Sequence, residues 1–455
     1  MKQSFHRLSS QRSRRPSIWR HRDLRLVIPA RTVSLVGDTL AMIALILRVH
    51  DQGGGTAGIA LLLMAFAAPT VLAMGVAGHI ADRFDSRPVL LISTTAQVLA
   101  CAGLASFENR WSTYAFVILL QCGQAVANPT WGALTPRIVG DEDMGRVISL
   151  QQSLLAVTGI VGAALAGLLV GTHGTSIALW VDGATFGAVL LAAGLVRTRR
   201  GGRHETSEPC AAAVATTRHA TTRHATTKPR TFDGLRILQR DRLVWVIFGW
   251  TIPFVIVLEG VNVVEVFLVR DDLGASATTY GLLQAFFGAG AVAGSWVAGR
   301  LATDASRVRA VLVGLAGTAL SIGLAGLAPT VAVLAVCLVL LGTFNGGTNA
   351  AVGPLYVLRP AEADRGKVLA AINGVMRAGS ILALGLGGLV GGWLGPRATF
   401  VGGAVCALLV VAGLAWSLRG VDRTASVLEK VLVPASDATC APEARGRHNS
   451  RFAVH

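Results

Sequence analysis

Twelve apolar runs of about 20 residues or more alternate with polar joints along the chain, and each is long enough to cross the ~30 Å hydrocarbon layer of a bilayer as a helix. The runs fall near 26–48, 57–80, 88–107, 112–131, 147–171 and 176–196, and then near 243–269, 278–299, 308–328, 331–352, 367–392 and 397–418. Lipid offers no partner to loose backbone, so helices are required, and neighbours joined by a few residues pack antiparallel. The pattern predicts an all-α polytopic membrane protein organised as a basic segment 1–25, a six-helix bundle 26–196, a linker 197–242, a second bundle 243–418 and a tail 419–455. The linker holds 11 basic residues and repeats Ala-Thr-Thr-Arg-His at 215–219 and 220–224, a low-complexity composition that predicts disorder; the polar tail reads the same way.

Composition supports this layout. Of 455 residues, 52% are hydrophobic and 15% charged, with a mean hydropathy of +0.57. An ordinary soluble chain carries ~25% charge, so little remains here for a separate soluble domain. The net charge of +16 would suit a nucleic-acid surface if the basic residues were clustered. They are not. Of the 41 lysines and arginines, Arg48, Arg110, Arg270 and Arg397 fall on one side of the predicted membrane, Arg31 and Arg377 lie within spans, and the other 35 share the side of the N-terminus. Basic residues accumulate on the cytoplasmic face, so both termini are expected inside a cell membrane, with anionic lipid rather than nucleic acid as the partner of the surplus charge. The first run is longer than a signal-peptide core, contains Arg31 and Asp38, and lacks a small-residue cleavage site, so it reads as an uncleaved span. Cys101, Cys122, Cys337 and Cys406 lie in apolar runs, Cys210 and Cys440 in polar segments, and no Cys-x-x-C spacing indicates zinc or a disulfide framework.

The two sets of six spans align at an offset of 221. Asp38 meets Glu259, Asp51 meets Asp272, Gln124 meets Asn345, Asn128 meets Asn349 and Asp143 meets Asp364, while Gly53, Gly132, Gly145, Gly167, Gly171 and Gly174 each meet glycine. Six is an even number, so both halves enter from the same face, which makes the repeats parallel and places a seam and central cavity between them. At such a seam a substrate site opens to each face in turn.

Candidate chemistry follows from the polar residues within spans. Asp38 and Glu259 each fall near the bilayer middle, where ionisation is costly and the neutral acid is favoured, as a carrier of protons requires; a structural hydrogen bond is the alternative. The two repeat mates are expected to face one shared cavity. Glu265, beyond Glu259 and Asn262, reads either as an outer proton acceptor or as a solvated mouth residue. Arg31 is about two turns from Asp38, too far for a firm direct pair, and has a snorkelling or a gating role. Arg377 lies deeper and is expected to pair with an intramembrane carboxylate or with Asn373. Gln121, Gln124 and Asn128 form one stripe, Asn345 and Asn349 the related one, and amides so placed either contact substrate or join helices. Trp250 and Phe254 offer an apolar cavity wall or plain core. Asp182 reads as a packing contact. No phosphate-binding loop, His-Glu-x-x-His or Gly-x-Ser-x-Gly turn occurs, so neither an enzyme nor a metal or organic cofactor is expected.

The segment Gly78-His-Ile-Ala-Asp82-Arg83-Phe-Asp-Ser-Arg87 between spans 2 and 3 resembles the G-x-x-x-D-R-x-x-R/K signature of the major facilitator superfamily. The stretches 33–38, 180–186 and 273–281 are similar to its drug:proton antiporter branch, which includes macrolide-efflux and enterobactin-exporter-like members. The resemblance implies export of an amphipathic small molecule (drug, antibiotic or siderophore-like) in exchange for protons, a cytoplasmic latch at Gly78, Asp82, Arg83 and Arg87, and a chain that works as a monomer. Two positions depart from that branch: span 4 has no arginine, Gln121 being its nearest polar residue, and Ala163 stands where span 5 usually carries proline. A proton-coupled importer and a non-transporting sensor are the alternatives.

Overall fold

A computed structural model describes residues 18–198 and 233–432. The expectations for the first residues of the basic segment, most of the linker with its repeat, Cys210, Cys440 and the end of the tail lie outside those residues. After a single 3-10 turn at Ile18–Arg20, the first half comprises α1 (Arg22–Asp51), α2 (Gly55–Leu72), α3 (Met74–Arg83), α4 (Ser86–Ser106), α5 (Arg110–His173) and α6 (Thr175–Leu195). The second comprises α7 (Asp233–Leu238), α8 (Arg242–Phe267, extended by a π turn Leu268–Asp272), α9 (Ala277–Ala298), α10 (Asp304–Gly326), α11 (Val331–Leu358), α12 (Arg365–Leu394) and α13 (Pro396–Leu432). Among the described residues there are no strands.

Eleven of these helices are long and apolar enough to cross a membrane. The twelfth crossing is the limb of α5 before Gly140, the stretch that carries Gln121, Gln124 and Asn128. Gly140 separates the two limbs with φ 71° and ψ 170°, a backbone conformation that L side chains rarely adopt. Pro136 precedes it within the last turn of the first limb. α2 and α3 form one span with a break at Ala73, just beyond Pro69.

Two segments correct the expectation of disorder. Residues 233–238 of the linker form α7, whose Gly234 lies against the Lys367 carbonyl and Ala371 of α12, and α13 continues past residue 419 to Leu432.

The 221-residue repeat is visible in the backbone as well as in the sequence. Gly53 and its mate Gly274 have φ of 65° and 61°, and Gly174 and its mate Gly395 have φ of 84° and 77°. Asp143 pairs with Arg146 at 3.1 Å, and their mates Asp364 and Lys367 pair at 3.0 Å. The seam between halves obeys the same operation. α5 crosses α9 where Gly167 meets Gly281, and α2 crosses α12 where their mates Ala60 and Gly388 meet. A side chain at Gly281 would run into the Gly167 backbone, so close approach of helices is what glycine permits here.

Among the described residues the contacts between the halves gather at one end. At the C-terminal ends of α1 and α8, His50 Nε2 lies 2.9 Å from Asp271 Oδ1, and Arg270 reaches Asp51 at 3.3 Å, both across the seam. α1 accordingly has a continuous buried stretch from Ile43 to Val49, whereas its first half alternates buried with exposed positions. Toward the other end, Gly75, Gly78, Gly145, Gly159, Gly374 and Gly379 have no atom of another element within 4 Å of where a side chain would begin. Among the described residues the molecule is closed where α1 ends and open where α1 begins.

Candidate functional site

Between the halves lies a chamber of about 810 Å3. Its apolar walls include Met42, Leu63, Phe66, Phe287, Leu338 and Leu341, and its polar groups include Gln121, Gln124, Asn128, Glu259, Asn262, Glu265, Gln284, Asn345 and Arg377. A volume of this size suits a drug-sized molecule, and a mostly apolar wall with a few placed polar groups is the usual composition of a small-molecule site.

Glu259 stands on α8, facing α12. Ser380 Oγ donates to Glu259 Oε1 and Asn262 Nδ2 donates to Oε2, each at 3.3 Å. Glu265, almost two turns further along α8, is half-buried toward the closed end beside Tyr280 and Gln284 of α9, and its Oε1 is buried with no hydrogen-bond partner among the described residues. Gln284 Nε2 donates to the Tyr280 hydroxyl at 3.2 Å, so the three side chains form one polar patch on an otherwise apolar wall.

Asp38 does not open onto this chamber. It faces a pocket of about 20 Å3 within the first half, lined also by Arg31, Ser34, Thr94, Gln97, Gln124, Asn128 and Trp131. That volume is of the order of a single water molecule. Gln124 Nε2 donates to Asp38 Oδ2 at 3.2 Å, and Gln97 Nε2 donates to Gln124 Oε1 at 2.7 Å. The hydroxyl of Thr94, in the same pocket, is buried with no partner among the described residues. The expectation of one cavity shared by the two repeat mates is therefore corrected to two adjoining chambers, with Gln124 and Asn128 lining both. The cause is local: Thr39 and Met42, next to Asp38 and one turn on, take the chamber-facing side of α1.

Arg31 donates to Asn128 Oδ1 at 3.2 Å and lies 5.9 Å from the Trp131 ring centroid. Arg377 lines the large chamber, and among the described residues it forms neither the expected carboxylate pair nor a bond to Asn373. Ser380, one turn along, makes the contact to Glu259 instead. Asn349 donates to Asn345 Oδ1 at 3.0 Å, joining those amides along one helix.

Trp250 and Phe254 are not chamber wall. The Trp250 indole donates to Ser417 Oγ at 3.1 Å and its ring lies over Gly413 of α13, and Phe254 is buried in the core of the second half. Asp182 is fully buried against the first-half core, held by Cys101 and Thr185, and Gly37 leaves room for it beside α1. In the signature segment, Arg87 donates to the Gly194 carbonyl in the last turn of α6, where a cation complements the helix terminus; Arg83 is exposed. A side chain at Gly78 would meet nothing within 4 Å, and the expectation for the Asp82 side chain lies outside what the structure describes.

The aromatic pair Phe66 and Phe287 escaped the reading of polar residues alone. They are mates at the 221 offset, as are Leu63 and Gln284, Gly159 and Ser380, and Ala163 and Leu384, all of which line the chamber. Extending the offset to apolar positions is the signal that finds them.

Among the described residues no cluster of His, Cys, Asp and Glu is suited to hold a metal ion. Two repeated six-helix halves around an intramembrane chamber define a transporter architecture. The sequence pattern of the Major Facilitator Superfamily matches residues 27–267 and 259–434, and the chain belongs to that family. It is 23% identical over 414 residues to an uncharacterized MFS-type transporter, YfiS, of Bacillus subtilis (strain 168), covering 88% of this chain and 94% of that one. It is also 23% identical over 195 residues to the multidrug efflux pump Tap of Mycobacterium tuberculosis (strain ATCC 25618 / H37Rv), covering 40% of this chain and 46% of Tap. Among solved structures, an inward-facing bacterial homologue of the iron transporter ferroportin superposes with a TM-score of 0.66 at 14% identity, over 87% of this chain and 98% of that one. The nucleoside transporter NupG superposes with a TM-score of 0.63 at 11% identity, over 87% and 98%. At these identities the structural likeness establishes the fold alone.

Proposed function

We propose that this transporter exports an amphipathic small molecule from the cytoplasm or inner leaflet by alternating access, in exchange for protons. The observation that carries the reading is the chamber itself: a largely apolar wall, with Glu259 and Glu265 set into it and the Asp38 pocket adjoining through Gln124 and Asn128. The partial similarity to the efflux pump Tap favours export. The open end is the end at which α1 begins, and the placement of 35 of the 41 basic residues on that side argues that it faces the cytoplasm. Substrate enters there and lies against Phe66 and Phe287. Rocking of one half against the other about the α5/α9 and α2/α12 crossings closes that end and opens the other.

In this mechanism protons enter from outside, neutralise the intramembrane carboxylates and leave to the cytoplasm. Asp38 takes part from its own pocket, through the amide chain Gln97, Gln124, Asp38 rather than by direct contact with substrate. The mechanism is tested in proteoliposomes under an imposed pH gradient with a panel of amphipathic drugs and siderophore-like compounds. The Asp38→Asn, Glu259→Gln double variant is expected to lose proton-driven efflux at least about tenfold, a loss of ~1.4 kcal/mol of coupling or more. Efflux at the wild-type rate in that variant would overturn it. Accumulation rather than loss of compound in cells carrying the wild-type chain would overturn the direction.

A further inference from the structure

We propose that His50 is a proton-binding residue of the transport cycle, whose imidazolium ties the two halves together at the closed end of the chamber. The proposal rests on the transport reading above for its orientation, the closed end being the outer one.

His50 is in the last turn of α1, at the seam. Its Nδ1 lies 3.0 Å from Asp51 Oδ1 in its own half, its Nε2 lies 2.9 Å from Asp271 Oδ1 in the other half, and its ring packs on Phe267 with centroids 5.2 Å apart. Both ring nitrogens therefore meet carboxylate oxygens, which are acceptors only. A neutral imidazole has one N–H and would turn a lone pair toward one of the two carboxylates; the imidazolium donates to both. His50 and Asp271 are also mates at the 221 offset, so the contact lies where the repeat brings the two spans together.

The charges around this contact leave few other partners for it. Arg270 faces it from the turn after α8 and binds Asp51 at 3.3 Å and the Ala275 carbonyl at 2.9 Å. Arg48 of α1 points into the first half, toward the Leu104 carbonyl, Thr175 and Ser176. At the start of α5, Arg110 holds the Gln52 carbonyl, and Glu108 before it accepts from Ser176. Asp272 pairs with Arg397 of α13 at 3.1 Å. α2 and α12 present no charged side chain to this end. Asp51, Arg270 and Asp271 are thus the charged groups that face His50.

Opening of the outer end must separate His50 from Asp271. The imidazolium can donate to both carboxylates only in the closed arrangement, so protonation favours closure. Imidazole is the side chain whose charge changes in the pH range of an external medium. A proton arriving from outside on the open form would then close the outer gate and start the return to the inward-open form. Closure is favoured at low external pH and is lost as pH rises.

The test uses the full chain in lipid nanodiscs, with native cysteines replaced and the protein still folded and monodisperse, and spin labels at Trp111→Cys and Leu327→Cys. These exposed positions stand at the outer end, one on each half. Inter-label distances are recorded from about pH 5.5 to 8. The wild-type background is expected to gain a longer-distance population as pH rises, with a closed-to-open ratio that falls by at most about tenfold per pH unit for a single proton. His50→Gln should lose this dependence, and His50→Arg should stay closed throughout. A wild-type distance that ignores pH, or a His50→Gln variant that keeps the wild-type dependence, would overturn the proposal. The measurement needs no substrate, so it fails or holds independently of drug efflux.

Discussion

Single residues divide into groups that face the chamber's interior and groups that only build the scaffold around it. Phe66→Ala with Phe287→Ala should weaken binding of bulky apolar compounds by about tenfold or more, from ~1.5–3 kcal/mol of lost aromatic burial, as read from equilibrium binding to the purified protein. Trp250→Phe should leave binding unchanged and lower thermal stability modestly, since it removes one hydrogen bond, to Ser417, worth ~1 kcal/mol. The sequence made the intramembrane acids and amides legible because a polar side chain in an apolar run is conspicuous. It could not tell which side of the helix each one takes. Asp38 and Glu259 occupy equivalent positions, yet only Glu259 borders the central space, because the side chains around Asp38 close a pocket that a linear pattern does not describe. Trp250 misled for a related reason: an aromatic ring fits equally well in a cavity wall or over the glycine of a neighbouring helix.

At the level of helices, packing turns on small residues at a few crossings. Gly281→Val would press a side chain into the Gly167 backbone at the α5/α9 crossing, where neither helix can yield by turning a rotamer. Overpacking of this kind costs ~1–3 kcal/mol, so a lower unfolding temperature and a lower yield of monodisperse protein are expected. Gly187→Ala, at a position with nothing within 4 Å, serves as the control and should change neither. The spans themselves were almost fully legible, since 20 apolar residues in a row admit few structures other than a crossing helix. Their ends were less so. α11 runs six residues beyond its apolar stretch, and α13 continues into polar sequence as far as Leu432, because a helix that has left the lipid is no longer limited by hydropathy. The kink at Gly140 was also hidden, since one glycine among 53 carries no mark of its backbone angle.

Across the whole molecule, the halves are joined near the closed end by the two helix crossings and the charged contacts of His50, Asp51, Arg270 and Asp271. Those contacts are partly exposed, so dissolved ions should weaken them. Raising salt from about 0.01 to 1 M, which shortens the screening distance from ~30 to ~3 Å, is expected to enlarge the longer-distance population between labels at 111 and 327 at fixed pH. No such change would indicate that the helix crossings alone hold that end shut. The two walls of the chamber also differ in kind. Glu259, Glu265 and Arg377 all belong to the second half, while the first contributes Gln121, Gln124 and Asn128 together with Met42 and Phe66. A cargo with one ionic end would thus be moored to a single flank and shielded by the other, travelling with the flank that holds its charge while the uncharged one slides past it.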